Sequence, residues 1–184
     1  LEALPADASG IVVVQHMPKT FTETFSQRLD NVVKVDVREA KGGETLRRGL
    51  VLIAPGDKHL RVARKGTGLV ASVEDGDKVS GHRPSVDVLF ESCARLAGCT
   101  CVGVILTGMG KDGAKGLLAI RQNGGRTIAE SDESCVIFGM PKEAIERGGA
   151  EFVLPDVEIP NMVTELVGAG GEARAQTVAG GESR

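Results

Sequence analysis

The chain has 184 residues, 41% hydrophobic and 26% charged, with a net charge of -3 and a sequence pI near 5.7. That is long and apolar enough for one buried core and one principal domain. Five Phe with no Tyr or Trp, on a mildly acidic chain, argue against the basic face and stacking rings of a nucleic-acid binder. No apolar run approaches the roughly 20 residues that span a bilayer.

The opening LEALPADASG reads as the tail of a helix stopped by Pro5, then a loop. No charged-then-apolar signal leads it, and a cytoplasmic protein is the expectation. IVVVQ, from Ile11, is a β-branched run suited to a buried strand. In TFTETFSQRLD, Phe21, Phe25 and Leu29 recur at helical spacing and predict one apolar stripe. VVKVDVRE alternates Val33, Val35 and Val37 with polar neighbours, the period of a half-buried strand. LVLIAPG, from Leu50, is a further strand ended by Pro-Gly. HLRVARKGTGLVASVEDG predicts an antiparallel hairpin turning at Gly66 and Gly68. PSVDVLFESCARLAG carries a helical face of Val86, Leu89, Phe90, Cys93, Leu96 and Ala97, closed by Gly98. Strand-like and helix-like segments then alternate through CVGVIL, GAKGLLAIRQNGG, RTIAE, MPKEAIERGG, EFVLP and EIPNMVTELVG.

This order predicts an α/β fold, doubly wound, with a mostly parallel sheet, helices on both faces and one antiparallel hairpin. Residues 1–167 form the domain. Residues 168–184, rich in Gly and Ala without an apolar period, read as a disordered tail. The four cysteines, Cys93, Cys99, Cys101 and Cys135, lie in apolar stretches without C-x-x-C spacing, so reduced buried thiols are expected rather than a metal site or disulfides.

Ligands of open α/β sheets bind beyond the carboxyl ends of the strands. Four exits there, QHMP, APGDKH, TGMGKDG and ESDES, bring His16, Asp57, His59 and Asp112 toward one edge. Gly108, Gly110 and Gly113 have the G-x-G-x-x-G spacing of a dinucleotide loop, with Glu130 placed for a ribose hydroxyl. Asp112, however, would set a negative charge beside the diphosphate. A second reading pairs Asp112 with His16 as the orienter and base of a hydrolytic triad.

VVQHMPKTFTETFSQRL, IAPGDKH, HRPSVDVLF, GVILTGMGKDGAKGL and SCVIFGMPKEAI, in that order from about Ile11 to Leu166, resemble the catalytic domain of the chemotaxis protein-glutamate methylesterase family. The resemblance implies a cytoplasmic serine hydrolase of signal transduction. It would remove methyl esters from chemoreceptor glutamates, release methanol, and deamidate certain receptor glutamines without a cofactor or metal. It implies His16 as general base, Asp112 as its orienting carboxylate, and Met109 and Gly110 at the oxyanion. His82 and Arg83 are candidates for the substrate groove. Methyl-accepting receptors are the implied partners, and a regulatory receiver domain is expected upstream. Neither nucleic acid nor membrane insertion is implied.

The resemblance also implies a serine in a glycine-rich turn after a first strand, and no such segment occurs in the sequence. The expectation is a fold lacking its first strand and a fragment inactive as written. Ser85 and Ser134 are better read as helix or loop caps than as substitutes. A dinucleotide module and a non-catalytic receptor-binding fragment stand as the alternatives.

Overall fold

The computed structural model describes residues 1–96 and 101–178, with side chains described up to 168. In chain order its elements are β1 (Ile11–Val13), α1 (Lys19–Asp30), β2 (Asp36–Glu39), β3 (Leu50–Ile53), β4 (His59–Lys65), β5 (Gly68–Glu74) and α2 (Val86–Ala94). They continue with β6 (Val102–Ile105), α3 (Ala114–Gln122), β7 (Arg126–Glu130), α4 (Met140–Glu146), β8 (Phe152–Leu154) and α5 (Ile159–Val178).

The alternation of side chains along β3 divides the layers. Val51 and Ile53 face one way, joining Val35, Val37 and, from α1, Phe25 and Leu29. Leu50 and Leu52 face the other way, into a larger core shared with Leu60, Val62, Leu89, Ile105, Leu117 and Ile120. Each such side chain withdrawn fully from water contributes about 1.5–3 kcal/mol. A third cluster packs Ile159 and Leu166 of α5 onto Val104, Ile128 and Leu154. Helices therefore cover both faces.

The parallel strands form two three-stranded sheets, β1-β3-β2 and β6-β7-β8, and β4-β5 is an antiparallel pair. The mostly parallel architecture and the hairpin agree with the sequence reading. Among the described residues β1 pairs only with β3, and β6 only with β7.

Two local expectations differ from the structure. The opening is two hydrogen-bonded turns, Leu4 N–H to the Leu1 carbonyl and Ala8 N–H to that of Pro5, rather than a helix end. Phe21 is 56% exposed. The tight face of α1 is instead made by Thr22 and Ser26. The small, buried Thr22 hydroxyl accepts from the Gly56 N–H at 3.1 Å and donates to Glu39, a close approach that a phenyl ring would prevent. The last helix, α5, runs through Val178. Residues 179–184, and Gly98 with its neighbours 97, 99 and 100, lie outside the described residues.

Candidate active site

The loop between β6 and α3 is shaped by its glycines. Gly113, just before α3, has φ +92, in the left-handed region that favours glycine. A Cβ there would stand 2.6 Å from Val86 Cγ1, so the loop lies directly against the start of α2. This contact delivers Asp112 to the N-terminus of α2.

The Asp112 carboxylate is 1% exposed and accepts four hydrogen bonds. Oδ1 accepts from the Ser85 hydroxyl at 2.7 Å and the Asp87 N–H at 3.1 Å. Oδ2 accepts from the Val86 N–H at 2.8 Å and from His16 Nε2 at 2.7 Å. Burial pushes this carboxyl up, but the hydrogen bonds from His16, Ser85, Val86 and Asp87 outweigh it and hold the group below its ordinary 3.8. The group is an anion seated at the positive end of a helix. Ser85 is spent as the N-cap of α2, accepting from the Val88 N–H and donating to Asp112, which bears out its reading as a helix cap.

His16 follows β1, and its bond to Asp112 joins the exits of two strands that do not pair with each other. An ionised carboxylate against Nε2 requires a proton on Nε2, so whenever the ring is neutral the lone pair is on Nδ1. On the face of this ring lies His82, with ring centroids 3.8 Å apart and planes within 8° of parallel. Burial lowers the His82 pKa from 6.5; the charges of His16 and Lys78 lower it further, and that of Asp112 opposes them. The His82 backbone exchanges hydrogen bonds with Val79 at 2.9 and 3.0 Å. Next to it, Arg83 Nε donates to Asp57 Oδ1 at 2.9 Å, and the guanidinium also reaches the Gly76 carbonyl. Arg83 therefore straps the loop that carries His82.

An open cleft of about 410 Å³ adjoins the stacked rings, lined by Ser80, His82, Gly110 and Lys111 together with Gly139, Lys142, Glu143 and Glu146. Of the sequence candidates for the groove, His82 lines this cleft and Arg83 does not. The Met109 side chain is 77% exposed. Among the described residues the amides of Met109 and Gly110 have no hydrogen-bond acceptor, whereas the Gly108 N–H donates to the Ile137 carbonyl at 3.1 Å. A Cβ at Gly108 would lie 2.4 Å from Met140 Sδ, so this glycine lets the loop press against α4.

The remaining strand-exit residues do other work. Asp57 holds Arg83. His59 is buried, its Nε2 bonded to the Asp77 carbonyl at 2.8 Å. Glu130 is buried and accepts from the Thr107 N–H at 2.7 Å and the Ser134 hydroxyl at 2.9 Å. A carboxylate so engaged is not free for a ribose hydroxyl, and the dinucleotide reading loses its acidic residue. Ser134 is likewise engaged as a loop cap. Cys93, Cys101 and Cys135 are reduced, in no disulfide, and burial with the Glu130 charge pushes Cys135 up to about 11. Sequence reasoning missed Asp87, whose buried carboxylate accepts from the Ser80 hydroxyl at 3.0 Å and the Gly116 N–H at 2.9 Å, tying α2 to α3. The available signal was an acid two residues after a serine N-cap.

Fold and site together define an α/β domain with a carboxylate-held imidazole where two strand ends converge. The chain belongs to the CheB methylesterase family, whose model matches residues 1–163. It is 52% identical over 168 residues to protein-glutamate methylesterase/protein-glutamine glutaminase 3 of Geobacter metallireducens, covering 91% of this chain and 47% of that protein. It is 57% identical over 155 residues to protein-glutamate methylesterase/protein-glutamine glutaminase 1 of Anaeromyxobacter dehalogenans, covering 84% and 44%. The crystal structure of the Thermotoga maritima CheB methylesterase catalytic domain superposes with a TM-score of 0.86 at 43% identity, covering 90% of this chain and 88% of that one. The chain thus spans about half the length of the curated relatives it matches. No described helix is long and apolar enough to cross a membrane.

Proposed function

We propose that this domain hydrolyses methyl esters of glutamate side chains on chemoreceptors in the cytoplasm, and deamidates receptor glutamines, with His16 as base and Asp112 as its orienter. The observation that carries the reading is the 2.7 Å bond from His16 Nε2 to a carboxylate buried among four donors. That bond supports a neutral ring with its proton on Nε2 and Nδ1 as the proton acceptor.

In this mechanism Nδ1 removes the proton of a serine hydroxyl as its oxygen attacks the ester carbonyl. The developing oxyanion is met by the amides of Met109 and Gly110, where one donor is typically worth about 3–4 kcal/mol of barrier. Nδ1–H then protonates the departing methoxide, releasing methanol and an acyl-enzyme. Water, deprotonated by the same Nδ1, attacks the acyl carbon and frees the glutamate and the serine. A glutamine follows the same course with ammonia as leaving group. Among the described residues no serine hydroxyl is bonded to His16, and Ser85 and Ser134 are engaged elsewhere. On this reading the nucleophile comes from outside these 184 residues.

Methanol and ammonia release from methylated and glutamine-bearing receptor tests the proposal, using the full-length gene product. Release that falls at least about a hundredfold in His16→Gln supports it. Undiminished release in that variant, or none from the folded wild type, defeats it.

A further inference from the structure

We propose that His82 is a positioning residue for the base: its ring, stacked on the face of His16, fixes the rotation that the Asp112 hydrogen bond leaves loose. This inference rests on the reading of His16 as base. The bond to Asp112 is made at Nε2, which lies close to the line of the Cβ–Cγ bond, about which an imidazole turns. A hydrogen bond near that axis resists turning weakly, and the torsion of a ring on a tetrahedral carbon is intrinsically broad. Nδ1 lies farther from the axis, so a small rotation moves the proton-accepting atom most. A second ring held 3.8 Å away and 8° from parallel opposes that rotation directly.

The surroundings of His82 suit the role. Its backbone is pinned to Val79, and the adjacent Arg83 is tied to Asp57 and Gly76, so the ring rests on an anchored strap. Its side chain makes no hydrogen bond among the described residues, leaving stacking as its principal contact. Charge matters as well, because His16 becomes cationic when it accepts a proton, and a second cation on its face would oppose that step. Burial, His16 and Lys78 favour the neutral form of His82 against the pull of Asp112. The charged groups lining the same cleft are Lys111, Lys142, Glu143 and Glu146, with Lys142 paired to Glu146 at 3.8 Å along α4.

The test uses the full-length protein with His82→Ala and His82→Phe. It reads kcat and KM for methanol release, the thermal midpoint, and the NMR relaxation of the His16 ring. His82→Ala is expected to lower kcat about ten- to a hundredfold with KM within about twofold, the cost of a misplaced reacting group, and to loosen the His16 ring. His82→Phe restores an uncharged face and is expected to return kcat to within about threefold of wild type and to recover the ring order. His82→Ala with wild-type kcat or an equally ordered His16 ring overturns the role. So does His82→Phe performing no better than His82→Ala. A wild-type protein that releases no methanol defeats the methylesterase reading instead, and the ring order then decides the positioning role on its own.

Discussion

Replacing Asp112 by Asn removes a charge while keeping the shape, and the donors around the carboxylate set the cost. They occupy both oxygens: the Ser85 hydroxyl and Asp87 N–H at Oδ1, the Val86 N–H and His16 Nε2 at Oδ2. An amide offers one oxygen. With that oxygen at Oδ2, its NH2 confronts Asp87 N–H; with it at Oδ1, the NH2 confronts Val86 N–H and turns His16 to the wrong tautomer. The serine hydroxyl can rotate and accept, but a backbone N–H cannot. Either orientation strands a buried donor, costing about 1–3 kcal/mol, and the anion's interaction with the helix end, up to about 2 kcal/mol, is lost as well. The sum, about 1–5 kcal/mol, reaches into the range of about 3–5 kcal/mol that losing one partner of a buried pair usually costs. Urea unfolding at pH 7 should show this as a lower midpoint at an unchanged slope. Because the folded pKa of Asp112 is lowered, its contribution is present above 3.8 and is lost as pH falls through the folded value. The gap between wild type and variant should therefore close in that acid range. A variant within about 0.5 kcal/mol of wild type at pH 7, the usual effect of a neutral surface change, would refute the reasoning.

Ser85→Ala should lower stability by about 2 kcal/mol through loss of the N-cap and of a bond to a charged group. Methanol release by the full-length protein should stay within about tenfold of wild type; abolition in a folded variant would restore Ser85 as a nucleophile. Gly113→Ala should cost about 2–4 kcal/mol by unfolding, combining φ +92 with a Cβ 2.6 Å from Val86 Cγ1; an unshifted midpoint would contradict that packing. His82 has a lowered folded pKa, so the unfolded chain takes up a proton that the folded chain refuses. Stability should fall as pH drops from 6.5 toward that lowered value, and His82→Phe should flatten this part of the pH profile. A wild-type profile that is flat or rises toward acid would count against it.

The layering was legible because its signals are local. The period-two valines before and within β2, the four buried residues of β3 and the hairpin between His59 and Glu74 each carry their pattern in a few adjacent residues. Phe21 misled because apolar periodicity says nothing of how closely a helix approaches its neighbours, and here the hydroxyl contacts of Thr22 set that distance. The pairing of His16 with Asp112, 96 positions apart, came from the rule that strand exits share an edge, reinforced by family resemblance. Its setting at the start of α2 was hidden, because the sequence places Asp112 just before α3, and only the packing at Gly113 carries it to the other helix. The His16–His82 stack was hidden for the same reason: it depends on a strap closed by Arg83 and Asp57.

The most direct test of the account is the tautomer of His16, read from its ring nitrogen shifts in a chain with only three histidines. At a pH where the ring is neutral, the account predicts the proton on Nε2 and a bare Nδ1, with that preference lost or weakened in Asp112→Asn. A proton resident on Nδ1, or an even mixture in the wild type, would contradict the claim that Asp112 presents His16 to the cleft as a base.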